Sequence, residues 1–184
     1  MSLLSLLQRV AESEWSIALH ESLWVWPLLE STHVLALTLF VGTAMMFDLR
    51  LAGLAFRRLP ASTVVARILP WTRLGFVVMV VTGLLLFYAS PVRNYQNIFF
   101  RMKMLLMLLA GLNVWLFHRG IYRDAASWGG DAVLPPAARR AGYASLVLWA
   151  GVIVCGRLVA YNWFDCDIQP QPAFVNWAAG CVVP

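Results

Sequence analysis

Four runs of mostly apolar residues, Leu23–Phe47, Trp71–Ser90, Ile98–Phe117 and Ala141–Tyr161, are each long enough to cross a bilayer as a helix. A hydrocarbon core of roughly 30 Å and a helical rise of about 1.5 Å per residue require about 20 such residues. Lipid offers no partner to backbone N–H and C=O groups, so runs of this kind close their own hydrogen bonds as helices. With 61% hydrophobic and 12% charged residues in 184, an ordinary soluble domain is excluded. The expected fold is all-α. It is a polytopic membrane protein, a single membrane domain (1–184) built as an antiparallel bundle of four transmembrane helices. The opening Met1-Ser2-Leu3-Leu4 shows neither a basic leader nor a small-residue cleavage site, and is not read as a removable signal peptide.

Arginines set the expected orientation. The first connection carries Arg50, Arg57, Arg58 and Arg67 with no acid after Asp48; the third carries Arg119, Arg123, Arg139 and Arg140 against Asp124 and Asp131. The positive-inside rule places both loops in the cytoplasm. The opposite side, with Glu12, Glu14, Glu21, Arg93, Asp165 and Asp167, is then periplasmic, and both termini lie there in a bacterial inner membrane. The net charge of +5 is accounted for by this asymmetry, so no nucleic-acid partner is implied.

Leu3, Leu6, Leu7, Val10 and Ile17 follow helical spacing, with Gln8, Arg9, Glu12 and Ser16 on other faces, which predicts an amphipathic interfacial helix over about 3–20. Trp24 and Trp26 fit an interfacial aromatic belt, and Pro27 marks the entry to the first span or a kink in it. Arg57–Arg67 could hold a further short interfacial helix punctuated by Pro60 and Pro70. In the tail, 162–184, Cys166 and Cys181 lie where a disulfide is permitted; two free thiols are the alternative. Closing that loop would contribute about 3 kcal/mol in the chain-entropy model, and would hold Phe174 and Trp177 near the surface as a cover for the residues below. Cys155, inside the fourth run, reads as a small packing residue. Gly42, Gly83 and Gly111 could mark close helix contacts within the bundle or between copies.

The few ionisable residues within the runs converge on one depth. Glu30, His33, Lys103 and Arg157 are expected roughly 6–10 Å below the outer surface, where charge is costly and usually has a function. Glu30 and His33, three positions apart, share a helix face and could share a ligand or a proton, or act as interhelical glue. Lys103, the chain's lysine, could snorkel outward, whereas the guanidinium of Arg157 cannot shed its charge. Together these residues suit an anionic group such as a haem propionate, a carboxylate or a reduced quinone. An inner set, Asp48, Arg50, Arg73, His118 and Arg119, reads as water-accessible and paired with loop arginines or headgroups; Asn113 reads as interhelical glue. His33 and His118 are offset by roughly 20 Å along their helices, so one iron cannot reach both. A haem at His33 would need His20, Met102, Met104 or Met107 as its second ligand.

The ordered set Glu21-Ser-Leu-Trp-Val-Trp-Pro27, Glu30-Ser-Thr-His33, Gly42, Asp48-Leu-Arg50-Leu-Ala-Gly53, Phe99-x-x-x-Lys103, Asn113, Phe117-His118 and Gly156-Arg157-x-x-Ala160-Tyr161 resembles an uncharacterised family of small bacterial four-helix integral membrane proteins. That resemblance spans most of residues 20–161 and implies this topology without supplying a substrate. The architecture is more distantly similar to four-helix b-type cytochromes and copper-resistance D-type membrane proteins, at fold level alone.

The leading expectation is a membrane-embedded redox or cofactor-binding subunit with a b-type haem or quinone site in the outer leaflet. His33 would serve as haem ligand or quinone partner and Glu30 would orient it. Lys103 and Arg157, with neighbouring Tyr161, would hold the anionic end of the cofactor. A periplasmic redox protein is the implied partner, beside the lipid bilayer and a homo- or hetero-oligomer. Two other classes compete. Copper or small-solute transport would use His33 with Met45, Met46, Met102, Met104 and Met107. A non-catalytic anchor would assemble a periplasmic complex, its polar layer purely structural.

Overall fold

The computed structural model describes residues 2–121, 134–161, 163–164 and 166–181. Arg123, Asp124, Asp131 and Asp165 of the charge asymmetry lie outside them. Among the described residues the chain is all-helical: α1 (Leu3–Ala11), α2 (Glu14–Glu21), α3 (Val25–Ala52), α4 (Ala61–Ala89), α5 (Pro91–Tyr95), α6 (Ile98–Leu116), α7 (Pro136–Leu158) and α8 (Ala173–Ala179). A π turn, Phe117–Ile121, prolongs α6, and a 3-10 turn, Val159–Tyr161, prolongs α7. α3, α4, α6 and α7 are long and apolar enough to cross a membrane. The protein is a four-span helical membrane protein.

α3 packs against α4 and α7, and α7 against α6, which makes α3 and α7 the inner pair. Glycines permit the closest approaches. A Cβ at Gly75 would stand 2.7 Å from the backbone nitrogen of Phe40, and one at Gly142 would stand 2.8 Å from the carbonyl oxygen of Asp48. Backbone-to-backbone approach of this kind is how membrane helices gain van der Waals contact without a hydrophobic driving force. Gly42 and Gly111, expected at such contacts, have open space where a Cβ would be. Midway along the bundle Val41, Ala110, Trp149 and Val152 form the core, with Phe40 edge-on to Trp149 at 5.0 Å.

The spans extend beyond their apolar runs. α3 continues through Asp48-Leu-Arg50 to Ala52 and stops at Gly53, whose φ of +74° provides the left-handed cap. α4 begins at Ala61 behind Pro60 and runs through Pro70, absorbing the short helix expected near Arg67. A spanning helix tolerates an internal proline where neighbouring groups satisfy the freed carbonyl. Pro27 occupies the first turn of α3, where its missing N–H costs nothing.

The single interfacial helix expected over 3–20 is broken in two. Ser13 caps α2 by accepting a hydrogen bond from the Ser16 N–H, and its hydroxyl lies 3.0 Å from the Tyr88 hydroxyl. Ser16 is buried and donates to the Tyr88 carbonyl at 2.9 Å. Two short serine bonds to the end of α4 thus turn the amphipath back onto the bundle. α1, α2, α5 and α8 gather at this terminal end; the connection 53–60 and the start of α7 form the opposite, arginine-loop end.

Candidate functional site

About two turns inside the terminal end, His33 of α3 meets Thr82 and Gly83 of α4, and at a similar depth Lys103 of α6 lies against Gly156 of α7. His33 of α3 turns its Nδ1 to the Thr82 hydroxyl of α4 at 2.9 Å. The Thr82 hydroxyl donates its own proton to the Val78 carbonyl at 2.7 Å. A hydroxyl has one proton to give, so Thr82 accepts from His33 and the assigned tautomer carries hydrogen on Nδ1, leaving the Nε2 lone pair as an acceptor. Gly83 makes room for the ring, since a Cβ there would lie 3.2 Å from His33 Cε1.

Lys103 enters the same layer from α6. Its stem and ammonium lie against Gly156 of α7, with Nζ 3.8 Å from where a Cβ would stand. The side chain is half-buried, with no hydrogen bond or ion pair among the described residues. Phe87 of α4 and Phe100 of α6 stack at 5.6 Å about one turn nearer the terminal end, bridging the two flanking helices over this layer. At about one depth the arrangement offers a fixed imidazole acceptor, a cationic donor and aromatic surface. A planar ligand carrying an oxygen atom fits that chemistry.

The other residues of the expected layer point elsewhere. Glu30 is exposed, with no hydrogen bond or ion pair among the described residues. Arg157 is exposed and donates to the Tyr161 hydroxyl at 3.0 Å while lying 5.0 Å from the ring centre; Tyr161 stacks on Trp163 at 5.5 Å. The reason is helical phase. The buried positions of α7 are Ala138, Gly142, Ser145, Trp149, Val152 and Cys155, and Arg157 falls two residues beyond the last, about 200° around the helix. Arg157, Tyr161 and Trp163 form a peripheral cation–aromatic cluster rather than part of the His33 layer.

His20 lies 3.1 Å from the Ser90 hydroxyl and packs edge-on to Trp26 at 5.0 Å, two turns of α3 away from His33. Met102 and Met104 are exposed, and Met107 packs on the mid-bundle core beside Val41 and Trp149. These are the second ligands on which a haem at His33 would depend. Among the described residues no group of three or more His, Cys, Asp or Glu converges on a metal position.

Of the inner set, Arg73, His118 and Arg119 are exposed, but Asp48 and Arg50 are buried rather than water-accessible. Asp48 is 7% exposed and accepts from Ser145 at 2.6 Å. Arg50 is 1% exposed and donates to the Leu59 carbonyl at 2.7 Å. Asn113 donates to the Ala141 carbonyl at 3.0 Å. α3 runs past its apolar stretch, carrying Asp48 and Arg50 into helix contacts with α7 and under the 53–60 connection. At the terminal end Cys166 and Cys181 are joined by a disulfide. Arg101 donates to the Tyr95 and Ala178 carbonyls, each at 2.8 Å, clasping the closed tail to α6. Phe174 and Trp177 of α8 are exposed.

Thr82 is the site residue that sequence reasoning passed over. A Thr-Gly pair in an apolar run reads as packing, and its meaning depends on α4 facing His33. No curated protein and no solved structure matches this chain. The chain belongs to a family of unknown function, DUF6644, whose pattern matches residues 26–162.

Proposed function

We propose that this protein is a membrane-embedded redox subunit that binds the head group of a quinone in the His33–Lys103 layer. The observation that carries the reading is an imidazole fixed by Thr82 at about the depth of a half-buried lysine, Lys103, whose ammonium has no hydrogen-bond partner among the described residues. A cation within a membrane span is costly without a partner, and a quinone carbonyl oxygen would accept from Lys103. The Nε2 lone pair of His33 would accept the proton of a quinol hydroxyl. Phe87 and Phe100 would flank the ring. A b-type haem is the weaker form of the same reading, because His20 and the methionines stand away from His33. The arginines of the 53–60 connection and of α7 support an orientation with both termini in the periplasm of a bacterial inner membrane, which puts the layer in the outer leaflet within reach of a periplasmic redox partner.

The test is protein purified in mild detergent, its lipid extract analysed for quinones and its absorption recorded oxidised and dithionite-reduced. Quinone retained by the native chain and lost from folded His33→Ala and Lys103→Met is the expected result. An extract without quinone from protein purified out of quinone-containing membranes overturns the reading. A Soret band that disappears in His33→Ala replaces it with the haem form.

A further inference from the structure

A second ligand position lies at the opposite end of the bundle. Between α6 and α7 the surface opens into a cavity of about 350 Å³ lined by Asn113, Leu116, Phe117, Ala137, Arg140 and Ala144, with Ala141 at its floor. Ala137, Ala141 and Ala144 recur at helical spacing on one face of α7, and their short side chains leave a trough that Leu116 and Phe117 wall from α6. The amide of Asn113 is committed to the Ala141 carbonyl, so the trough's interior is largely apolar and Arg140 brings its charge. Both helices are spans, so the trough opens toward lipid rather than toward a soluble partner.

We propose that this trough holds an anionic phospholipid, with the phosphate on the exposed guanidinium of Arg140 and one acyl chain running inward against Ala141 and Ala144. Charge and depth select the occupant. Arg140 stands four residues, roughly 6 Å, nearer the helix end than Ala144, which places a phosphate on the guanidinium above an acyl chain in the inner part of the trough. A guanidinium matches a phosphate bidentately and keeps its charge beside lipid. Arg139, next in sequence and also exposed, does not line the trough. It is the internal control for general surface attraction.

The experiment is native mass spectrometry of the full chain released from nanodiscs of phosphatidylglycerol and phosphatidylcholine in equal parts. The native chain is expected to retain phosphatidylglycerol in preference. Arg140→Gln should lower the retained anionic lipid about fivefold, the value of one basic residue near a charged surface, while Arg139→Gln leaves it nearly unchanged. Ala144→Leu, which fills the trough without touching the charge, should reduce retention of both lipids. Equal retention of the two lipids by the native chain, equal losses in Arg139→Gln and Arg140→Gln, or full retention in Ala144→Leu would each overturn the assignment. Glutamine at position 140 lies on an exposed surface, so the variant keeps the fold, and the helical circular dichroism of each protein checks it.

Discussion

At the arginine-loop end Asp48, Arg50 and Asn113 each meet a named partner on a neighbouring segment, whereas at the terminal end the half-buried Lys103 has no hydrogen bond among the described residues. Both regions place polar side chains inside a bundle of apolar helices, and both lie close to one end of the spans. What separates them is satisfaction. A buried polar group with its bond made holds helices together, while one without a bond carries a cost that packing alone does not repay. The loop end therefore reads as architecture and the terminal end as a place prepared for something else.

The largest effect is expected at the arginine-loop end. Arg50→Ala removes a guanidinium that is 1% exposed and leaves the Leu59 carbonyl without its donor; a loss of roughly 3 kcal/mol is expected, read as a lowered unfolding midpoint in detergent. Gly142→Val comes next, at about 2 kcal/mol, because its Cβ would fall within 3 Å of Asp48 and Ala52 backbone atoms. Gly42→Ala is its control: open space surrounds that position, and a gain of about 0.5 kcal/mol is expected from helix propensity. If Gly142→Val and Gly42→Ala shift the midpoint alike, the close α3–α7 crossing is not what holds this end.

Ser145→Ala should fall between Gly142→Val and the Gly42→Ala control. It strips the hydrogen bond from a buried carboxylate and should cost about 1–2 kcal/mol. The smallest effect on stability should come from the terminal end. Lys103→Met exchanges an unbonded cation for an apolar chain of similar length, and the unfolding midpoint should stay constant or rise slightly while bound quinone is lost. A Lys103→Met protein as destabilised as Arg50→Ala would erase the distinction between the two ends.

The residues that reveal each end were unequally legible. Four spans follow from runs of apolar residues, since lipid imposes the same requirement on every segment. His33 and Lys103 stand out in the sequence because ionisable residues within a span are rare. Thr82 and Gly83 do not, for small and weakly polar residues are common in such helices and acquire a role only from what faces them. Arg157 misled for a related reason: depth along a helix can be counted from the sequence, but the side of the helix that meets a neighbour depends on packing. Asp48 and Arg50 reversed from exposed to buried because α3 outruns its apolar stretch and its end is covered by α7 and the 53–60 connection.

That this chain is a four-span helical membrane protein, and which ionisable residues lie within its spans, can be read from its segments one at a time, because hydrophobic length and charge are properties of a segment alone. That His33 meets Thr82, while Glu30 and Arg157 turn away, comes from how the helices pack. The same packing closes Asp48 and Arg50 into the fold. Pairing is a property of two surfaces, set by helix rotation and by which glycines allow backbones to approach, and neither surface carries that information alone.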